Sequence, residues 1–178
     1  MVNNSKKTAV FLVILGISFN VFAQDGDSKD VKRFSFGGAL GLLPNGYDGG
    51  FEFGFLLFHN TKIDIRNHVY MNSAQIRDGN GADAILFVLD EKISMGNMSQ
   101  NGLFRSYGYI EGGIGFYENE TKKLFKTPLA YNYGFGFGID IFVRDDTGFL
   151  IEGGITNIYV DSQWLFNPKI TVGACGYL

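Results

Sequence analysis

Residues 129–143, LAYNYGFGFGIDIFV, alternate almost without interruption. Leu129, Tyr131, Tyr133, Phe135, Phe137, Ile139, Ile141 and Val143 share one face. Ala130, Asn132, Gly134, Gly136, Gly138, Asp140 and Phe142 share the other. A period of two belongs to a β-strand, whose successive side chains point to opposite faces. The first face is too long and too aromatic to leave in water. The second, mostly glycine with one carboxylate, is poor material for an oily core. That inversion predicts a strand with lipid outside and a polar interior.

Seven further runs of the same kind are punctuated by turn signals. They are Phe34–Leu42, Gly50–Phe58, Thr61–Asn72, Ala84–Met95, Leu103–Tyr117, Phe149–Tyr159 and Lys169–Leu178. In the first, Phe34, Phe36, Leu40 and Leu42 oppose Ser35, Gly37, Ala39 and Gly41. In the third, Ile63, Ile65, Val69 and Met71 oppose Asp64, Arg66, His68 and Tyr70. The fourth is ambiguous in phase, because Ile85 to Leu89 is continuously apolar; Ile85, Phe87 and Leu89 are placed outward. Ile110-Glu111-Gly112-Gly113-Ile114 recurs as Ile151-Glu152-Gly153-Gly154-Ile155, a shared local solution to packing rather than a domain repeat.

Residues 1–23 read as a secretory signal peptide: Lys6 and Lys7, an apolar stretch from Thr8 to Phe22, and a small-residue site at Val21-Phe22-Ala23. The apolar stretch is short for the roughly 20 residues of a membrane-spanning helix. Gln24 rather than Cys follows the cut, which argues against a lipid anchor there. Residues 24–33 form a polar leader expected to be flexible, and 34–178 form the folded domain. Cleavage removes two lysines and no acid, taking the formal charge from −3 to −5. No basic stripe exists to engage phosphates, so nucleic acid is excluded as a partner. The single cysteine, Cys175, has no disulfide partner within the chain and reads as a small packed residue.

These observations predict an all-β, eight-stranded, antiparallel up-and-down transmembrane β-barrel. An even strand number puts both chain ends on one side. The short links 58–61 and 143–148 fall on that side, and longer links of about 73–82, 118–128 and 160–168 fall opposite. Short periplasmic turns and longer external loops are the asymmetry of outer-membrane barrels. In this pattern, from Phe34 to Leu178, the chain resembles the small eight-stranded outer-membrane barrels: OmpA-type transmembrane domains and OmpX- or OmpW-like proteins. The resemblance implies a bacterial outer-membrane location with periplasmic termini, insertion by the barrel assembly machinery, a monomer surrounded by outer-membrane lipid, and no cofactor. Such barrels commonly end in an aromatic residue; here the aromatic is the penultimate Tyr177, before Leu178.

The inward set carries the chemistry. Glu52, Asp64, Arg66, His68, Glu111, Asp140, Glu152 and Lys169 are predicted to line a lumen just wide enough for side chains to fill it. Charges there need partners. The expectation is a structural network of acids around Arg66 and Lys169, with a narrow polar pathway as the sharper alternative. Asp64 and His68 share a face, but one lumenal histidine is too few for a metal site. Some barrels of this size are lipid A-modifying enzymes with serine and histidine active residues. No serine falls into a convincing pattern with His68, and Ser94 lies on the run of ambiguous phase, so no catalytic role is predicted. The loop Glu118–Pro128, with Lys122, Lys123 and Lys126 around Leu124 and Phe125, could meet a surface ligand. Tyr117, Tyr131, Tyr159, Trp164 and Phe166 are expected to form an interfacial aromatic girdle.

The predicted function is a structural or surface-interacting outer-membrane barrel. A narrow pore for small solutes or apolar molecules is the first rival. A soluble lipocalin-like carrier is the second, and it requires Phe135 and Phe137 to point inward.

Overall fold

The computed structural model describes residues 33–60, 63–77, 83–100, 102–119, 129–144, 146–160 and 163–178. The predicted signal peptide, residues 24–32 of the leader and Lys122, Lys123 and Lys126 lie outside these residues.

Eight strands follow one another: β1 Phe34–Leu43, β2 Gly46–His59, β3 Asp64–Arg77, β4 Asp83–Met98, β5 Phe104–Asn119, β6 Leu129–Arg144, β7 Thr147–Val160 and β8 Gln163–Tyr177. Each pairs antiparallel with its neighbour in sequence, and β8 closes onto β1, with Ser35 opposite Tyr177 and Leu42 opposite Ile170. Closure removes every free sheet edge, which a strand in lipid requires because no water is present to satisfy it. The two ends of the barrel meet where the Phe34 N–H donates to the Leu178 carbonyl at 3.1 Å and the Leu178 N–H donates back at 2.9 Å.

The alternation resolves as predicted on β6. Phe135 is 53% and Phe137 76% exposed, whereas Ala130, Gly134, Gly136, Gly138 and Asp140 are buried. The carrier reading, which needs those rings inside, is thereby excluded. Ile85, Phe87 and Leu89 also face outward as placed, and Leu86 and Val88 point in. The inner glycines of β6 have causes on both neighbouring strands: on β7, a Cβ on Gly134 would sit 2.6 Å from the Ile155 carbonyl and one on Gly136 2.5 Å from the Gly153 carbonyl. Tyr107 and Tyr109 of β5 lay their rings across β6: a Cβ on Gly138 would sit 2.4 Å from Tyr107 Cζ, and one on Gly136 would sit 2.7 Å from Tyr109 Oη. The repeated Glu-Gly-Gly has a related logic. Gly113 leaves room for the Asp90 carboxylate and Gly154 for the Tyr109 hydroxyl.

The strands are longer than the sequence runs suggest, and this corrects the loop asymmetry. The far-side links are 44–45, 78–82, 120–128 and 161–162; the terminus-side links are 60–63, 99–103 and 145–146. Two far-side links are as short as any turn, so the asymmetry rests on 120–128. The stretch 160–168 is expected as a longer link. It is mostly strand, because β8 pairs with β7 from Gln163 opposite Val160. The terminus-side turn between β4 and β5 is closed by Gly102 at φ +69°, a conformation that favours glycine. Its N–H donates to the Ser99 carbonyl at 2.9 Å.

The girdle is corrected at one residue. Tyr131, Tyr159, Trp164 and Phe166 lie on the outer face near the far rim, with Trp164 5.0 Å from Tyr159 and 5.3 Å from Tyr133 between ring centroids. Tyr117 instead points into the lumen and is fully buried. Its odd position on β5 shares the phase of Tyr109 and Glu111.

Candidate functional site

The lumen is layered. At the far end Leu43, Ala74, Ile76, Ala84, Leu86, Val88, Tyr117, Ala130, Ile158 and Val160 pack into one apolar cluster. These residues come from the far-rim ends of their strands, so they cork the barrel there.

Polar side chains follow beneath. Lys169 Nζ lies 2.7 Å from Asp48 Oδ2, and Asn72 Nδ2 donates to Asp90 Oδ2 at 2.6 Å. At mid-height Lys92 bridges two acids, donating to Glu152 Oε1 at 2.8 Å and lying 3.1 Å from Glu52 Oε2. Tyr107 Oη donates to the same Glu152 oxygen at 2.8 Å. Closer to the termini, Arg105 Nε donates to both oxygens of Asp64 at 2.9 and 3.0 Å. Its Nη1 reaches Asp140 Oδ2 at 3.4 Å and its Nη2 donates to Ser94 Oγ at 3.0 Å. Tyr177 Oη donates to Asp140. Arg66 lies 3.4 Å from Asp64 and stacks over the Tyr177 ring at 4.8 Å. Near the terminus-side mouth Ala39, Phe142, Leu150, Cys175 and Tyr177 form a second apolar cluster.

All eight sequence-predicted residues therefore point into the lumen. Seven are buried and Glu111 is half-buried. The expected hubs are displaced. Glu52 and Glu152 gather on Lys92, and Asp64 and Asp140 gather on Arg105, rather than on Arg66 and Lys169. Lys92 and Arg105 were not singled out in the sequence, yet the signal was there: each shares the phase of an inward residue on its own strand. Asp48 and Asp90 were missed in the same way.

A second correction concerns Ser94. Its Oγ lies 3.2 Å from His68 Nε2, and His68 Nδ1 lies 3.8 Å from Glu52 Oε1. A serine, a histidine and an acid thus stand in the order of a nucleophilic triad. The details oppose that chemistry. The His–Glu separation is too long for a hydrogen bond, so the ring is not oriented by the acid. Glu52 is held by Lys92 and Ser94 by Arg105. Ser94 has no exposed surface. Cavities of about 20 Å³ beneath the cork and about 10 Å³ beside Glu52 and Lys92 are each room for about one water. Among the described residues, no group of three or more His, Cys, Asp or Glu could hold a metal ion.

The closed eight-stranded barrel has counterparts among solved structures. Neisserial surface protein A aligns at a TM-score of 0.61 and 10% identity, covering 83% of this chain and 98% of that one. This chain has the fold of the small eight-stranded outer-membrane barrels. Ail, the attachment invasion locus protein of Yersinia pestis, aligns at 0.51 and 13% identity, covering 82% and 95%. The outer membrane enzyme PagL aligns at 0.51 and 9%, covering 80% and 97%. At these identities the likeness extends to the fold alone. No protein-family model and no curated protein matches the sequence.

Proposed function

We propose that this chain is an integral outer-membrane barrel that is closed to solutes and serves a structural or surface-interacting role without catalysis. The observation that carries this reading is the layered lumen: an apolar cork at the far rim above salt-bridged side chains. An ion entering such a path would shed its water against apolar side chains and then displace paired charges, both costly. The outer face supports the membrane setting, since Phe51, Phe53, Phe135, Phe137, Phe166 and Ile170 are all more than half exposed. Both termini at one end suit a periplasmic placement, with the far-rim links, 120–128 above all, outside. That loop, with Lys122, Lys123 and Lys126, is the part we assign to a surface ligand. The barrel assembly machinery is the partner for insertion, with Leu178, 71% exposed on the apolar side, closing the final strand.

Planar-bilayer recording tests the closed barrel. The expected result is a silent membrane after insertion. Steady unit openings that vanish in Glu111→Ala or Arg66→Ala would establish the pore instead. Protease added to intact cells tests orientation: cleavage is expected within 120–128 and not at the 60–63 or 145–146 turns.

A further inference from the structure

The cavity beneath the cork, about 20 Å³, is walled by Leu43, Leu86, Val88 and Ile158 on the apolar side. Asp48, Asn72, Asp90 and Asn132 bring polar side chains to it. The polar atoms they leave over are all oxygens. Asp48 Oδ1, Asn72 Oδ1, Asp90 Oδ1 and Asn132 Oδ1 are buried, and none has a hydrogen-bond partner among the described residues. Asp48, Asn72 and Asp90 are each at most 9% exposed. Buried acceptors left without a partner are costly.

The strands fix these oxygens in place. Asp90, Gly113 and Asn132 occupy one register row across β4, β5 and β6. A Cβ on Gly113 would collide with both Asp90 Oδ1 and Asn132 Oδ1, so the two oxygens converge over the glycine. A carboxylate only accepts, so an amide that bonds it must present nitrogen. Asn72 Nδ2 donates to Asp90 Oδ2 at 2.6 Å, and the Asn132 side chain also hydrogen-bonds Asp90. Both amide oxygens are thereby turned away from that bond. Asp48 directs its other oxygen, Oδ2, to Lys169 Nζ at 2.7 Å. Lys169 is the base on the cavity wall, and the two carboxylates exceed it by one charge.

We propose that this cavity is a site for one alkali cation, Na⁺ or K⁺, held by the Asp48 and Asp90 carboxylates and the Asn72 and Asn132 amide oxygens. Hard cations take oxygen ligands. A singly charged ion offsets the excess on the wall. Ca²⁺ calls for about six to eight oxygens and Mg²⁺ keeps several waters, more than room for about one water admits. A donor set with two carboxylates rather than three also points away from a divalent ion. A water would donate two hydrogen bonds among four oxygens and leave the charge unbalanced. The cork closes over the site, so the ion is taken up as the barrel folds, and its binding adds to folding stability.

The test is urea unfolding of the full barrel in vesicles at one ionic strength, with NaCl or KCl replaced stepwise by N-methyl-D-glucamine chloride, whose cation is too large for the cavity. The folded-to-unfolded ratio is expected to rise about tenfold for each tenfold rise in alkali cation above its Kd. Asp90→Asn removes the charge at nearly constant shape, and Asn132→Ala removes one oxygen; each is expected to weaken the dependence about tenfold or more. Asp140→Asn, on the Arg105 side of the lumen, should retain it in full. Equal wild-type stability in alkali and glucamine salts overturns the site, and means that a water or a proton on Asp90 stands there. A dependence undiminished in both Asp90→Asn and Asn132→Ala overturns it too, since the ion then acts elsewhere. If one of these variants fails to fold, the other and the wild-type comparison decide.

Discussion

The two halves of the lumen solve the same problem with opposite chemistry. The far half buries Leu43, Ile76, Leu86, Tyr117 and Val160 against one another; the terminus-side half buries Arg66, Arg105, Asp64 and Asp140. The apolar half is tolerant, because its contacts are non-directional and each residue's share is independent of charge. The charged half is not. Among the described residues the lumen holds seven carboxyl groups, Asp48, Glu52, Asp64, Asp90, Glu111, Asp140 and Glu152, against the four bases Arg66, Lys92, Arg105 and Lys169. Removing a base therefore strands acids, whereas removing an acid leaves others to occupy the base.

That contrast sets the order of expected effects. Arg105→Leu comes first, because Asp140 loses its cation and Asp64 keeps only Arg66, at 3.4 Å; a loss of about 3–5 kcal/mol is expected from urea unfolding in vesicles. Leu86→Ala in the cork follows at about 2–4 kcal/mol, the cost of a cavity in a packed core. Its bilayer recordings should remain silent, since the charged layers still block the path; conductance in this variant would show that the cork alone closes the barrel. Glu152→Gln is expected to cost only about 1–3 kcal/mol, because Glu52 still holds Lys92. If it proves as damaging as Arg105→Leu, the asymmetry between acids and bases is wrong. Ser94→Ala should be the mildest, about 1–2 kcal/mol for the contacts of its hydroxyl with Arg105 and His68. Wild-type Ser94 should also resist a fluorophosphonate probe. Labelling lost in Ser94→Ala would reopen the enzymatic reading.

The same contrast explains what was legible beforehand. The third run read cleanly because its inner face is Asp64, Arg66, His68 and Tyr70 against an apolar outer face. The fourth read poorly because Leu86 and Val88 enter the cork while Ile85, Phe87 and Leu89 meet the outside, so both faces are apolar over the same five residues. Once that phase is uncertain, Asp90, Lys92 and Ser94 lose their assignment to the lumen, and Glu91 its place on the outside. One hub of the network, Lys92, was hidden by that ambiguous stretch.

The sequence by itself determined the alternation, the eight strands, the sidedness of most side chains and the placement of both ends together, because a period of two is a local property of the chain. Only the tertiary structure decided which charges meet. Lys92 and Glu152 are 60 residues apart, and Arg105 and Asp64 are 41. Their contact depends on the register of every intervening strand and on closure of β8 against β1, which no local pattern records. The glycine face of 129–143 shows the difference at one place: its alternation was written in the strand, and the reason for its glycines lay on both neighbours, in Tyr107, Tyr109 and Glu111 of β5 and the backbone carbonyls of Gly153 and Ile155 on β7.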